Sequence, residues 1–196
     1  MQSTNGTAFK EWAAICAALG DGLQTLIIRK GGIDEGREGF RVAHHEFWLF
    51  PTYHHEAAAG LAQDASPILD RAQAQQRPPG TLRLEHYAVV TDVFHVLDQE
   101  RLTRLAGQHV WSPRTVEERF SYRKPGLFVL AVRVYVREEP YLIPDSPHFA
   151  GCRSWVDLPL ELSTDRLSPA LCDAEFDRRR RQVQQALAAD SRGTLA

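Results

Sequence analysis

Apolar positions along the chain alternate between helix-like and strand-like spacing. Phe9, Trp12, Ile15, Cys16 and Leu19 recur three and four residues apart, which predicts a short amphipathic helix capped by Thr7 and ended by Gly20 and Gly22. Leu23 to Lys30 then reads as a strand stopped by Gly31-Gly32, and Asp34 to Gly39 as a charged loop. Phe40 to Val42 opens another strand, continued by the apolar run Glu46 to Tyr53, the pattern of a strand buried on both faces. Pro51 falls near its end or at a bulge. Residues 56–76 are Ala-rich and predict helix in two pieces, the second starting at Ser66-Pro67, before Arg77-Pro-Pro-Gly80 stops it.

Thr81 to Leu97 carries the longest β pattern, with Leu82, Leu84, His86, Ala88 and Val90 on one parity. Asp98 and Ser112 are placed to cap two short helices, the first holding Leu102 and Leu105, the second Val116 and Phe120. Lys124-Pro125-Gly126 is a turn. Beyond it Leu127 to Glu138 alternates Phe128, Leu130, Val132, Val134 and Val136 against Ala131, Arg133, Tyr135 and Arg137. Pro140, Pro144 and Pro147 predict an extended loop, Trp155 to Leu158 a last short strand, and Ser168-Pro169 the start of a terminal helix with Leu171, Phe176, Val183 and Leu187 on its apolar stripe.

This order predicts an α+β domain built on a small curved or closed, barrel-like sheet with flanking helices and a C-terminal helix. The single domain is expected over 7–160, with a helical appendage over 161–190 and a disordered tail at 191–196. The alternation is too irregular for a doubly wound parallel sheet, and Gly31-Gly32 leads into a charged loop rather than a phosphate-cradling helix.

Composition narrows the function. A chain of 196 residues with 43% hydrophobic and 24% charged residues is ordinary for a globule, and a net charge of −2 excludes coating nucleic acid by bulk charge. Any such binding must come from a local patch. Among the 23 basic residues only Lys10, Lys30 and Lys124 are lysines, a bias that fits GC-rich coding before it fits a preference for guanidinium chemistry. Cys16, Cys152 and Cys172 are odd in number and widely spaced, as expected of reduced thiols in a cytoplasmic protein. No start resembles a signal peptide and no run approaches the about 20 apolar residues of a membrane span, so no membrane partner is expected.

Candidate chemistry is scattered. His44-His45-Glu46 and His54-His55-Glu56 carry metal-ligand residue types, but ten residues of strand cover about 33 Å and adjacent side chains point to opposite faces, which favours solvated strand ends. A metal-dependent phosphodiesterase using His54, His55 and Glu56 is the enzyme alternative. The acid-x-Lys arrangement of restriction-type nucleases is absent, because Ala8, Ile28 and Tyr122 stand two residues before the three lysines. His86 reads as a core histidine, His95 as a strand-end one, and Cys152 beside Arg153 as a small core residue without a placed partner. Trp48, Trp111 and Trp155 read as core or pocket wall. Arg178 to Arg181 point all around a helix and read as a solvated face.

Arg133, Tyr135 and Arg137 alternate along one strand face, and Arg29 and Lys30 end another. Guanidinium and ammonium groups hold phosphates and aromatic faces stack on bases, so these residues with Tyr53 form the candidate nucleic-acid surface. The expectation is a single concave, cationic surface. It needs no cofactor or resident metal.

Glu11-Trp12, QTLIIRKGGI, LFPTY and GCRSWV (Gly151–Val156) resemble segments of a bacterial family known as domain of unknown function 1802, over most of the chain to about Leu160. That family has no established activity. Its association with restriction-enzyme parts implies DNA processing or defence and a restriction-system protein as partner. Where the family pattern has an acid after the FPTY segment, this chain has His54. Gly22 to Arg29, Leu127 to Val136 and Gly151 to Trp155 are also similar in pattern to PUA-like domains of the ASCH and EVE groups. These are small barrels, and the likeness implies a reader of RNA or of modified bases. A protein-interaction module docking through the terminal helix is the third reading.

Overall fold

The computed structural model describes residues 1–30, 43–53, 58–75, 80–151 and 153–188. The expected Gly31-Gly32 turn, the Asp34 to Gly39 loop, the Phe40 to Val42 strand start, His54, His55, Glu56, the Arg77-Pro-Pro stop, Cys152 and the 191–196 tail lie outside them. The strands are β1 (Thr4–Trp12), β2 (Leu26–Arg29), β3 (Glu46–Thr52), β4 (Thr81–Val96), β5 (Leu127–Pro144), β6 (Trp155–Ser163) and β7 (Leu167–Pro169). The helices are α1 (Ala13–Gly20), α2 (Ser66–Ala74), α3 (Gln99–Thr103), α4 (Pro113–Ser121) and α5 (Asp173–Leu187). None of these helices is long and apolar enough to cross a membrane.

One mixed sheet runs in the order β2-β5-β4-β3-β1-β6, with β7 on the same edge of β5 that β2 occupies further along. The sheet is curved and unclosed, in an α+β architecture. β1 and β3 are parallel and the other pairs antiparallel. Curvature comes from the long β4–β5 ladder, whose register shifts twice, between Leu84 and His86 and between Val90 and Asp92. The sheet is buried on both faces. On β3, Phe47 and Leu49 enter the main core with α1, while Trp48 and Phe50 enter a second core with Leu84, Tyr87 and Phe149. The unbroken apolar run of β3 is the sequence form of that double burial.

Local signals placed α3 and α4. The Asp98 carboxylate accepts the Glu100 N–H at 2.9 Å, and the Ser112 hydroxyl accepts the Thr115 N–H at 3.2 Å. Three boundaries differ from expectation. The predicted helix from Phe9 begins only at Ala13, because Ala8 and Phe9 are buried in a strand paired on both sides, with β3 and with β6. Every residue of α1 from Ala13 to Leu19 is buried, as expected of a helix apolar all round its axis. β5 runs past Pro140 to Pro144, since Pro140 falls where β5 bulges between Val136 and Tyr141 and no ladder N–H is required. Ser168-Pro169 lies in β7, bonding the stretch of β5 that β2 leaves open, and the terminal helix starts at Asp173.

α5 is tied down by ions as well as by Phe176, Val183 and Leu187. Arg180 donates to Asp92 at 2.6 Å and 3.2 Å, Gln184 donates to the same carboxylate at 2.8 Å, and Arg179 reaches the Gly22 carbonyl at 2.6 Å. Burial pushes the Asp92 carboxyl up, but the hydrogen bonds from Arg180, Gln184 and Thr91 outweigh it and hold the group below its usual range. Two of the four arginines expected on a solvated face are thus spent on docking.

At the end of α1 the His86 ring lies where a side chain on Gly20 would go, an added Cβ coming 2.1 Å from Nε2. Gly20→Ala should therefore destabilise the fold by about 1–3 kcal/mol, read as a lower urea midpoint at unchanged slope. Burial also pushes the His109 imidazole down to about 4. An unfolded chain takes up that proton near pH 6.5, so the unfolded state binds more protons through the interval between. Stability should fall as pH drops from about 6.5 towards about 4, and urea midpoints measured across that range should flatten in His109→Phe.

Candidate functional site

Three strand ends meet at one end of the sheet. β1 finishes with Glu11 and Trp12, and β3 finishes parallel to it, Trp12 opposite Thr52. The Thr52 hydroxyl donates to the Glu11 carbonyl at 3.1 Å. β2 belongs to the opposite edge of the sheet, yet curvature carries its last residue across to this point. Arg29 Nη2 donates to the Ser154 hydroxyl at 2.7 Å, its Nη1 lies 3.7 Å from Glu11 Oε2, and its guanidinium sits 4.9 Å above the Phe9 ring. The Ser154 carbonyl in turn accepts the Lys10 N–H at 2.8 Å. The Glu11 side chain is wholly buried. Its Oε1 accepts the Trp12 N–H at 2.8 Å, while Oε2 has no hydrogen-bond partner among the described residues. All four segments that carry the family resemblance, Glu11-Trp12, Arg29-Lys30, Thr52 and Ser154, converge here.

α4 covers this meeting point. Its Arg119 lies 3.7 Å over the Trp111 ring and 5.7 Å from Trp12, the two indoles packing edge to face at 4.7 Å. Arg119 Nη1 donates to the Ile28 carbonyl at 3.4 Å. Burial pulls this guanidinium below its ordinary pKa, and the Glu11 carboxylate opposes the shift. Beside it opens a cavity of about 500 Å³ lined by Trp12, Lys30, Gly60, Thr115, Arg119 and Tyr122, with Arg114 and Glu118 at the rim. Gly60 makes room for the Trp12 ring, since a Cβ there would sit 2.8 Å from it. The lining holds three cations and one carboxylate, so it attracts anions. An arginine held by two indoles and presenting N–H groups beside aromatic walls suits an anionic group attached to a flat ring.

The residues expected to bind nucleic acid separate into groups. Lys30 is at this cavity, but its ammonium caps the end of α4, donating to the carbonyls of Phe120 at 2.8 Å and Gly126 at 2.9 Å and to that of Lys124. Arg29 stands behind the cavity wall, spent on Glu11 and Ser154. Arg133 binds Asp173 at the start of α5 and lies 5.4 Å from the Phe176 ring; Arg137 donates to the Asp165 carbonyl at 2.7 Å. Tyr135 sits on β5 between Tyr87 and Pro169, and Tyr53 borders a narrow crevice with Cys16 and His86. Arg29 pairs across from Phe128, so Arg133, five positions further, projects from the other face of β5. The single concave surface expected from the strand pattern is divided in two. Sequence reasoning missed Glu11, assigned to a helix; Ser154; and Arg119, whose only signal was its place between Val116 and Phe120 on a capped helix.

Lys30→Met leaves three carbonyls at the end of α4 without their cation. It should cost about 1–2 kcal/mol, with hydrogen exchange of the amides around Phe120 to Gly126 accelerating more than that of β4.

A family model described as Domain of unknown function (DUF1802) matches residues 8–182. Among solved structures, ASCH from Zymomonas mobilis is 14% identical with a TM-score of 0.44, over 78% of this chain and 86% of that one. A serine-to-alanine mutant of the same ASCH protein is 12% identical with a TM-score of 0.43, over 91% and 96%. No curated protein matches the chain.

Proposed function

This chain belongs to the DUF1802 family, and we propose that the cavity beside α4 binds one nucleotide unit of a single-stranded nucleic acid. The phosphate sits on Arg119, and the base lies against Trp12 and Tyr122. The observation that carries this reading is the Arg119 guanidinium, held against Trp111 and Trp12 at a cationic, aromatic-lined cavity. Because the guanidinium is already fixed by its indole neighbours, little side-chain entropy is lost when it takes a phosphate. A base stacked on an aromatic wall adds about 1–3 kcal/mol. A cavity of about 500 Å³ admits one nucleotide rather than a duplex, which favours single strands.

Lys30 acts here by fixing α4 and by its charge, and Arg29 by holding the wall behind the site. The β5 strip of Arg133, Tyr135 and Arg137 is already engaged by α5 and by the Asp165 carbonyl, so it serves as the internal control. RNA and single-stranded DNA share the phosphate-and-base chemistry proposed, and matched oligonucleotides of each identify which is preferred.

Arg119→Gln should weaken oligonucleotide binding about tenfold or more, with the slope of log affinity against log salt reduced by about 0.7. Arg133→Gln should leave both unchanged. Fluorescence anisotropy of labelled 8-mers over a salt series measures this, with circular dichroism confirming that both variants fold. Loss of binding in Arg133→Gln with full binding in Arg119→Gln would move the site to β5 and refute the proposal.

A further inference from the structure

α4 divides two cavities of opposite character. Arg114, Thr115, Glu118 and Arg119 face the first, while Pro113, Val116 and Glu117 face a second of about 670 Å³, closed on its other sides by α2, α3 and the segment leading to Trp111. Its walls are mainly apolar, with Ile68, Leu102, Val110 and Val116 among them, and among the described residues no lysine or arginine lines it. The charged residues present are Asp64 and Glu117, both exposed. His109 adds no positive charge at neutral pH, because burial pushes its imidazole down to about 4. Two wall residues also carry buried nitrogens without a hydrogen-bond partner among the described residues, Nδ1 of His109 and Nε1 of Trp111.

We infer that this second cavity is a binding site for a small, largely apolar molecule bearing an amine, its hydrocarbon body among Leu102, Ile68 and Val116 and its ammonium towards Asp64 and Glu117. The volume suits a ligand of drug size, and the acidic rim selects against anions, nucleotides included. The site is independent of the nucleotide cavity. The two share α4 as a wall, and Trp111 of the second carries Arg119 of the first on one face of its ring.

The test uses three probes of similar size and different charge: 2-phenylethylamine, 2-phenylethanol and 3-phenylpropionate. The readout is the Trp111 indole N–H in a 15N–1H correlation spectrum, assigned by its disappearance in Trp111→Phe from a chain with four tryptophans. The amine should shift this signal saturably in the millimolar range, the alcohol more weakly, and the carboxylate about tenfold more weakly than the amine. Asp64→Asn with Glu117→Gln, both at exposed positions, should abolish the preference for the amine while leaving the alcohol's binding unchanged. Ala65→Phe, at a buried wall position, should block all three probes and leave oligonucleotide binding intact. Absence of any saturable shift, carboxylate binding as tight as amine binding, or an amine preference that survives the double charge variant would each overturn the inference.

Discussion

A single arginine holds the open sheet in shape. Arg29 ends one edge strand and reaches Ser154 just before the other edge strand and Glu11 on the strand beside it, so a side chain spans a seam that no backbone ladder closes among the described residues. The Glu11 carboxylate is buried and is not tolerable there without a cation nearby, since an unpaired buried charge costs several kcal/mol. Arg29 is mostly enclosed too, its face resting on Phe9. Each group therefore depends on the other, and both depend on the curvature that the β4–β5 bulges impose. The buried helix α1 packs in the main core against Phe47 and Leu49 of the sheet.

The cavities follow from that closure. With the seam shut, Trp12 projects at the end of β1 and Lys30 follows Arg29 out of β2, and these two residues hold the last turn of α4 and the chain just beyond it. Trp12 and Trp111 take Arg119, while Lys30 takes the terminal carbonyls. α4 stands as the partition between the two cavities. One face carries Arg114 and Arg119 with Glu118, the other Glu117, so one short helix gives the two cavities different charge.

Much of the fold was legible because its causes are local. The alternation of β4 and β5, the doubly apolar run of β3 and the capping residues Asp98 and Ser112 act within a few positions of the structure they specify. What was not legible depends on partners far along the chain. The spacing of Phe9, Trp12, Cys16 and Leu19 suits a helix throughout, and only pairing with β3 and β6 makes its first part a strand. Ser168-Pro169 reads as a helix start until the uncovered stretch of β5 claims it. The candidate site was less legible. Arg29 and Lys30 lie at the end of the sheet where the cavity beside α4 opens, but nothing near them in sequence reveals that Glu11, Ser154 and three carbonyls consume their donors. Arg119 is invisible in sequence because its meaning comes from two indoles, one of them more than a hundred positions away.

The claim that one charge pair holds the sheet's edges together is tested most directly by a double-mutant cycle of Arg29→Met and Glu11→Gln, measured by urea unfolding. The account predicts strong coupling, with the double variant more stable than the sum of the single losses implies by about 1–3 kcal/mol. Single losses that add to within about 0.5 kcal/mol would contradict it.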